Sequence, residues 1–150
     1  SIWPHDNALI ALGACRYGRR DAAAAILSAL FDVSAYMPMH RLPELFCGFE
    51  RRSGEGPTLY PVACMPQAWA SGAVFALLQA CLGLSVDGLH PGRPVLRLDG
   101  PVLPAFLKNV RIENLGVGAE RVDLELRRHG KDVAVKVRRR SGPVEVMVVQ

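Results

Sequence analysis

Residues 67–84 read QAWASGAVFALLQACLGL, an apolar run directly preceded by Pro66. Proline suits the first turn of an α-helix, so we predict a helix over this run. Its length is close to the ~20 residues that a membrane span needs. However, Gln67, Ser71 and Gln79 interrupt it, and no Lys or Arg flanks it. We therefore favour a helix buried in a large helical assembly, where an apolar surface needs neighbours on every side.

Two more helices are predicted before this run, over residues 6–19 and 22–36. Asp21 is the expected N-cap of the second helix, and Met37-Pro38 ends it. Two helices cannot surround the apolar run. We therefore expect a longer parent chain to supply the rest of the assembly, and the abrupt start at Ser1 fits that expectation.

Beyond the helices, the pattern changes to alternating apolar and polar residues. Residues 122–126 are predicted to pair with residues 133–137 across a turn, and residues 144–149 form a final strand. The sequence thus predicts an α+β chain in two parts. Residues 1–90 are helical, and residues 91–150 form a small antiparallel β-meander.

The net charge of +4 is unevenly distributed. Residues 1–90 hold six Lys or Arg against seven Asp or Glu, whereas residues 91–150 hold twelve against seven. The run Arg138-Arg139-Arg140 ends a predicted strand and has no interleaved aromatic residues. We therefore expect a solvated strand edge rather than a nucleic-acid surface.

The four cysteines, Cys15, Cys47, Cys64 and Cys81, include no CxxC pair. Structural zinc sites need closely spaced ligand pairs, so no metal site is predicted. Buried thiols in a cytoplasmic protein are the favoured interpretation.

Three clusters place polar or ionisable groups beside aromatic ones: residues 3–7 (WPHDN), 42–48 (LPELFCG) and 64–69 (CMPQAW). A sugar site needs this mixture, because carboxylates and amides bind hydroxyl groups and aromatic faces cover the apolar side of a pyranose. The clusters are the candidate functional segments of the chain.

In order, the clusters resemble segments of bacterial glycogen-debranching-type (amylo-α-1,6-glucosidase-like) glycoside hydrolases: WPHDNALIALG, LPELFCGF and CMPQAWASGAVF. The resemblance covers residues 1–84 and continues more weakly through LRLDGPVLPAFLKNVRIENLGVGAERVDLEL. It implies that residues 1–90 are the C-terminal segment of an (α/α)6 catalytic barrel and that residues 91–150 are its β-rich tail. The missing N-terminal part of the barrel would then be a partner of this segment.

The resemblance also implies roles for individual residues. Glu44 matches the general base that activates water in an inverting mechanism, and the general acid lies outside this chain. Five further residues match substrate-binding positions: Trp3, His5, Asp6, Gln67 and Trp69. The segment His5-Asp6-Asn7 departs from the aromatic or aliphatic residues of many relatives, which leaves the identity of the sugar open.

Each of these residues also has a structural interpretation. Glu44 would pair with Arg41 or Arg51 in its loop, and Asp6 would cap a helix. His5 would form a hydrogen bond at the helix end, and Gln67 would bond to backbone amides of the loop. Trp3 and Trp69 would pack in the core.

The expected function is hydrolysis of an α-linked oligo- or polysaccharide by the parent enzyme, without cofactor, metal, nucleic acid or membrane. The isolated chain is expected to be inactive. Two alternatives remain open. One is the same fold acting on another glycoside, as a trehalase-, mannosidase- or glycosylglycerate-hydrolase-like enzyme. The other is a non-catalytic carbohydrate-binding accessory module.

Overall fold

The computed structural model describes residues 1–88 and 93–149. Its main elements are α1 (Pro4–Cys15), α2 (Arg20–Ser34), α3 (Ala68–Leu82), β1 (Leu84–Asp87), β2 (Val95–Asp99), β3 (Asn109–Val117), β4 (Glu120–His129), β5 (Asp132–Arg140) and β6 (Glu145–Val149). Helices followed by two small sheets confirm the predicted α+β class. The chain divides into two compact units, Ser1–Ala80 and Cys81–Gln150. The predicted boundary between residues 90 and 91 lies outside the described residues.

In the first unit, α1 begins two residues earlier than predicted. Trp3 occupies the N-cap position and Pro4 the first helical position, where a missing backbone N–H removes no helical hydrogen bond. Asp6 therefore lies in the first turn and is not the cap, so the capping interpretation is wrong. A carboxylate in the first turn still interacts favourably with the helix dipole.

Helix α2 buries Ala23, Leu27 and Leu30, whose spacing places them on one face. Asp21 was predicted as its N-cap, but the cap position is occupied by Arg19. The Asp21 carboxylate instead accepts a hydrogen bond from the Arg19 guanidinium at 3.1 Å. The helix therefore begins at Arg20, one residue before the predicted cap, and no side chain caps its first turn.

Helix α3 was predicted to be apolar all round, and its two faces differ in exposure. Ala70, Ala73 and Leu77 are buried at helical spacing, whereas Val74 and Phe75 are exposed. One face of α3 is thus buried, and the face that carries Val74 and Phe75 is exposed to solvent. Among residues 1–88 and 93–149, no helix combines the length and the apolar character that crossing a bilayer requires.

The second unit contains two three-stranded sheets, with strand orders β1-β2-β6 and β3-β4-β5. The predicted meander is confirmed for β3-β4-β5. Across the β4–β5 turn, Leu124 pairs with Val137 and Leu126 with Val135, and Gly130 supplies a positive φ of 65°. Strand β5 is an edge of its sheet, and its three consecutive arginines are exposed, as predicted.

The prediction of one continuous antiparallel meander is wrong at the last strand. Strand β6 pairs with β2 in parallel, with Val95 opposite Glu145 and Asp99 opposite Val149. Strand β2 also pairs with β1 in antiparallel orientation, so this sheet is mixed. Alternation along residues 145–149 identified the strand, but it carries no information about which neighbour the strand joins.

Candidate functional site

Backbone hydrogen bonds bring the three predicted clusters together in the first unit. Ile2 and Phe46 exchange two bonds of 2.8 Å, which attach the first cluster to the second. The Glu44 amide donates to the Cys64 carbonyl at 2.8 Å, and the Gln67 amide donates to the Leu42 carbonyl at 3.3 Å. The second cluster therefore lies between the other two. In the chain, the end of the first cluster and the start of the second are 35 positions apart.

The Glu44 side chain is half-buried and faces the third cluster. Its Oε2 accepts a hydrogen bond from the Cys64 amide at 3.1 Å. Arg51, one of the two predicted ion-pair partners, instead bonds to Asp32 at 3.0 Å. The pairing of Glu44 with Arg51 is therefore wrong. A backbone amide, and not an arginine, orients this carboxylate.

His5 links the first and third clusters through ring contacts. It is only 4% exposed. Its imidazole stacks on the Trp69 indole with centroids 4.4 Å apart and planes 12° apart. Trp3 approaches the same imidazole edge-on at 5.5 Å and 79°. Three of the predicted substrate-binding residues thus form one aromatic group, held by contacts between residues 64 positions apart.

The two tryptophans differ in burial. Trp69 is 62% exposed, so its interpretation as a core residue is wrong. Trp3 is half-buried, and its Nε1 donates a hydrogen bond to the Ser1 hydroxyl at 3.1 Å. Of the pair, Trp69 has the ring surface that a ligand can reach.

Two buried polar atoms near this group have no hydrogen-bond partner among the described residues: His5 Nδ1 and Gln67 Oε1. On the other side of the imidazole, His5 Nε2 lies 3.7 Å from Asp6 Oδ1. The Asp6 carboxylate itself is exposed. In the structural interpretation, the Gln67 side chain forms hydrogen bonds with backbone amides of the loop. Its oxygen, Gln67 Oε1, accepts no such bond from the described part of the chain. Unpaired buried polar atoms are uncommon and need a specific explanation.

The contact between Glu44 and the Cys64 amide was missed by sequence reasoning, as was a cavity of about 180 Å³. The cavity lies between α2 and the loop that follows the second cluster, and Leu30, Val33, Phe46 and Phe49 contribute to its apolar lining. None of the six predicted site residues lines it. The length and apolar content of the loop were the only sequence signals for it.

The four cysteines all lie within the described residues, and none of them is in a disulfide bond. Burial raises the pKa of the Cys15 thiol, and its sulfur donates a hydrogen bond to the Ala80 carbonyl at 3.3 Å. Cys81 is buried, but Cys64 is exposed, so the prediction of buried thiols is wrong for Cys64. Within the described ranges, no three His, Cys, Asp or Glu side chains are grouped as metal ligands.

The arrangement combines an oriented carboxylate, an exposed carboxylate and an aromatic stack with one accessible indole. This chemistry suits a polyhydroxylated ligand with an apolar face. Neither a protein-family model nor a curated protein matches the chain.

Proposed function

We propose that this chain carries the general-base half of the active site of an inverting glycoside hydrolase that cleaves α-glucosidic linkages, of the glycogen-debranching type. The observation that carries the proposal is the orientation of Glu44. Its carboxylate is held by the Cys64 amide at 3.1 Å, within the backbone pairing that joins the predicted clusters. Sugar hydrolysis needs an oriented carboxylate, and the segments joined to that of Glu44 carry the aromatic and polar side chains that a sugar site also needs.

In this mechanism Glu44 accepts a proton from the water that attacks the anomeric carbon. Because Oε2 is engaged with the Cys64 amide, Oε1 is the oxygen that takes the proton. A second carboxylic acid protonates the leaving oxygen from the opposite side of the sugar. Inverting enzymes hold the two carboxyl groups about 6.5–9.5 Å apart, which leaves room for the water.

We propose that the acid belongs to a longer parent chain, which also supplies the remaining helices of an (α/α)6 barrel. The exposure of Val74 and Phe75 on α3 supports this view, because exposed apolar side chains on an otherwise packed helix fit against additional helices. Oligo- or polysaccharide is then the substrate of the complete protein.

The test is Glu44→Gln in the full-length protein. Glutamine keeps the shape of the side chain and its acceptor oxygen but removes its basicity. A general base contributes about 10²- to 10⁴-fold, so we expect kcat to fall by that order with little change in KM. Glu50→Gln is the matched control, since Glu50 is an exposed carboxylate of the same loop. Turnover of the Glu44 variant equal to that of the control would refute the assignment of the base.

A substrate panel distinguishes the enzymatic alternatives. Panose, isomaltose and maltotriose represent the α-1,6 and α-1,4 linkages of the glycogen-debranching type, whereas trehalose, glucosylglycerate and α-mannosides represent the alternative substrates of the same fold. The anomer released first, followed by NMR, reports the stereochemistry. Inversion at the non-reducing end of panose or maltotriose yields β-glucose, and release of α-glucose from either substrate would contradict the mechanism.

A non-catalytic carbohydrate-binding module is the second candidate, favoured by the exposed indole of Trp69. In that case the full-length protein binds oligosaccharides but hydrolyses none of them. Binding that persists in the Glu44→Gln variant, together with absent turnover in the wild type, would support this candidate over the first.

A further inference from the structure

Strand β5 is an outer strand of its sheet, and its first part forms a regular edge. Within the part of the chain that the structure describes, β4 is the only strand that pairs with β5. The register runs without a shift from His129 opposite Asp132 to Leu124 opposite Val137. An edge strand directs the N–H and C=O groups of alternate residues away from its sheet. Residues 132–137 match the usual strand length of about five to six residues, so a further strand can pair along them.

The opposite edge of this sheet, on β3, is less regular. Its register with β4 shifts between Ile112 and Leu115, and the longest run without a shift is residues 109–112. Asn114, inside the shift, has a φ of 60°, and its amide donates to the Asp123 carboxylate at 2.8 Å. Such a bulge interrupts the row of backbone groups that a new strand would need. The regular part of β5 is therefore the better template for strand pairing.

A register shift just beyond this edge places two arginines on one face of the sheet. Arg138 forms an ion pair with Glu125 at 3.3 Å, and Arg139 forms one with Asp123 at 3.1 Å. Since Glu125 and Asp123 are two positions apart on β4, both carboxylates lie on the same face. Consecutive residues of a regular strand point to opposite faces, and the extra residue of the shift removes that alternation. We call the face that carries these four side chains the charged face.

The charged face has an excess of positive charge next to the edge. Lys136 lies opposite Glu125 in the register, and Arg127 contacts the Glu125 carboxylate at 2.6 Å. On β3, Arg111 and Glu113 form their own ion pair at 3.5 Å. The remaining two carboxylates therefore face four cations: Lys136, Arg127, Arg138 and Arg139. Of these, Lys136 is exposed and belongs to the regular edge, so its ammonium group can reach an added strand.

The other face of the same edge is apolar. Val133 is buried and Val135 is half-buried, whereas Val137 is 40% exposed. Val137 pairs with the buried Leu124, so the apolar surface of the sheet continues to its edge and is incompletely covered there. Apolar side chains of an added strand would cover Val137, and removal of that surface from water is favourable.

The two faces of the edge determine which partner fits. Because successive side chains of a strand alternate between faces, a strand that alternates acidic and apolar residues matches both Lys136 and Val137. A second copy of this chain fits poorly, since its own β5 carries four Lys or Arg against one Asp, and like charges opposite each other are destabilising. A nucleic acid offers phosphates but neither a strand backbone nor side chains for the apolar face.

We propose that residues 132–137 of β5 are a docking edge for an extended acidic segment of a partner protein, which adds a strand to the β3-β4-β5 sheet. Its carboxylates lie near Lys136 and the arginines of the charged face, and its apolar side chains cover Val137. In this mode of recognition, main-chain hydrogen bonds provide the affinity and the alternating side chains provide the specificity. The proposal rests on the second unit alone and is independent of the hydrolase proposed above.

The test measures binding of fluorescein-labelled peptides to the full-length protein by fluorescence anisotropy. The probe is a hexapeptide that alternates Glu and Val, and its counterpart alternates Lys and Val. We expect the acidic probe to bind at least about tenfold more tightly than the basic one. Two further versions of the acidic probe carry N-methyl groups, either on the Glu amides or on the Val amides. Alternate amides of a strand point to opposite edges, so one version should bind at least about tenfold more weakly and the other like the unmodified probe.

Lys136→Glu and Arg111→Glu are a matched pair of variants, because both residues lie opposite Glu125, on β5 and on β3 respectively. Each variant replaces one positive charge by one negative charge. Lys136→Glu should raise the Kd of the acidic probe at least about tenfold and lower the Kd of the basic probe, whereas Arg111→Glu should leave both within about threefold. A loss of fold cannot produce such a reversed preference, and melting temperatures of the two variants provide an independent check.

Three results would overturn the proposal. Equal binding of the two N-methylated versions would show that the peptide backbone does not pair with β5. Equal effects of the two variants would show that net charge, and not the edge, attracts the probe. Single-stranded DNA of the same charge that binds as tightly as the acidic probe would make the charged face a general polyanion surface. Failure of the acidic probe to bind at all would refute the docking edge outright.

Discussion

The backbone and the side chain of Glu44 both bond to the backbone of Cys64. The Glu44 amide donates to the Cys64 carbonyl at 2.8 Å, and Glu44 Oε2 accepts from the Cys64 amide at 3.1 Å. Twenty residues separate the two positions in the chain. This pair fixes the second predicted cluster to the third, and it fixes the direction of the carboxylate at the same time.

The first prediction concerns the stability that this side-chain bond provides. Glu44→Ala leaves the Cys64 amide without its partner and should lower the free energy of unfolding by about 1 kcal/mol. Glu44→Gln retains an acceptor oxygen and should lower it less. Urea unfolding of the chain measures both, with Glu50→Ala as an exposed control. An alanine variant as stable as the control would mean that the bond does not hold the two segments.

The second prediction compares two glycines of the second unit that both have positive φ. Gly83 has a φ of 56°, and a Cβ there would overlap the Asp99 carbonyl oxygen. Gly130 has a φ of 65° and open space around it. Gly130→Ala should therefore cost about 1–2 kcal/mol of stability, from the left-handed backbone alone. Gly83→Ala should cost at least about 3 kcal/mol, from strain and overlap together. Equal losses in urea unfolding would contradict the close approach to Asp99.

The third prediction concerns the acid stability of the β3-β4-β5 sheet. The pKa of Glu125 lies below its ordinary value because Arg127 donates a hydrogen bond to it, with Arg138 and Arg111 nearby. A depressed folded-state pKa stabilises the fold above the ordinary value of 4.5, and this contribution is lost as the pH falls through the depressed value.

Glu125→Gln should therefore flatten the dependence of the unfolding midpoint on pH in the acid range. Because Arg127 and Arg138 are exposed, although the Glu125 side chain is only 12% exposed, high salt should reduce the difference between variant and wild type. Glu113→Gln, which removes a single ion pair of 3.5 Å with Arg111, is the control and should change the profile less. A profile unaltered by the Glu125 substitution would show that these arginines do not stabilise its carboxylate.

The fourth prediction addresses the two faces of α3. Ala73 is 3% exposed, so Ala73→Asp buries an unpaired charge and should cost several kcal/mol, on the order of 3 or more. Val74 is an exposed neighbour, and Val74→Asp should be tolerated in the 150-residue chain. In the proposed full-length barrel, the same Val74 variant should be strongly destabilising, because further helices cover this face. Tolerance of Val74→Asp in the full-length protein would contradict the barrel.

Local patterns predicted the parts of the fold that depend on neighbouring residues. The β4–β5 hairpin was predictable because alternation and a glycine-containing turn act within one short segment. Partners distant in sequence were not. The parallel pairing of β6 with β2 and the exposure of one face of α3 depend on the packing partner of each element. Residue periodicity indicates which side of an element is apolar but not which element packs against it. Helix α1 started early because Pro4 was a stronger start signal than Asp6.

The candidate site was predictable in composition but not in geometry. The three clusters were identified from carboxylates beside aromatic residues, and the structure brings them together. The stacking of His5 on Trp69 could not be predicted, because the side chains come from segments 64 residues apart. The hydrogen bond from the Cys64 amide to Glu44 could not be predicted either. Nearly every residue carries a backbone N–H, and no side-chain pattern indicates which one faces Glu44.

The parallel pairing of β2 with β6 also sets an order of events during synthesis. The β3-β4-β5 sheet needs only neighbouring segments and can form as soon as residue 140 has left the ribosome. Strand β2 is synthesised earlier, but one of its edges has no pairing strand until residues 145–149 of β6 have been synthesised. A nascent chain, or one truncated before residue 145, presents that edge with unpaired backbone groups, which makes it a template for pairing with another chain.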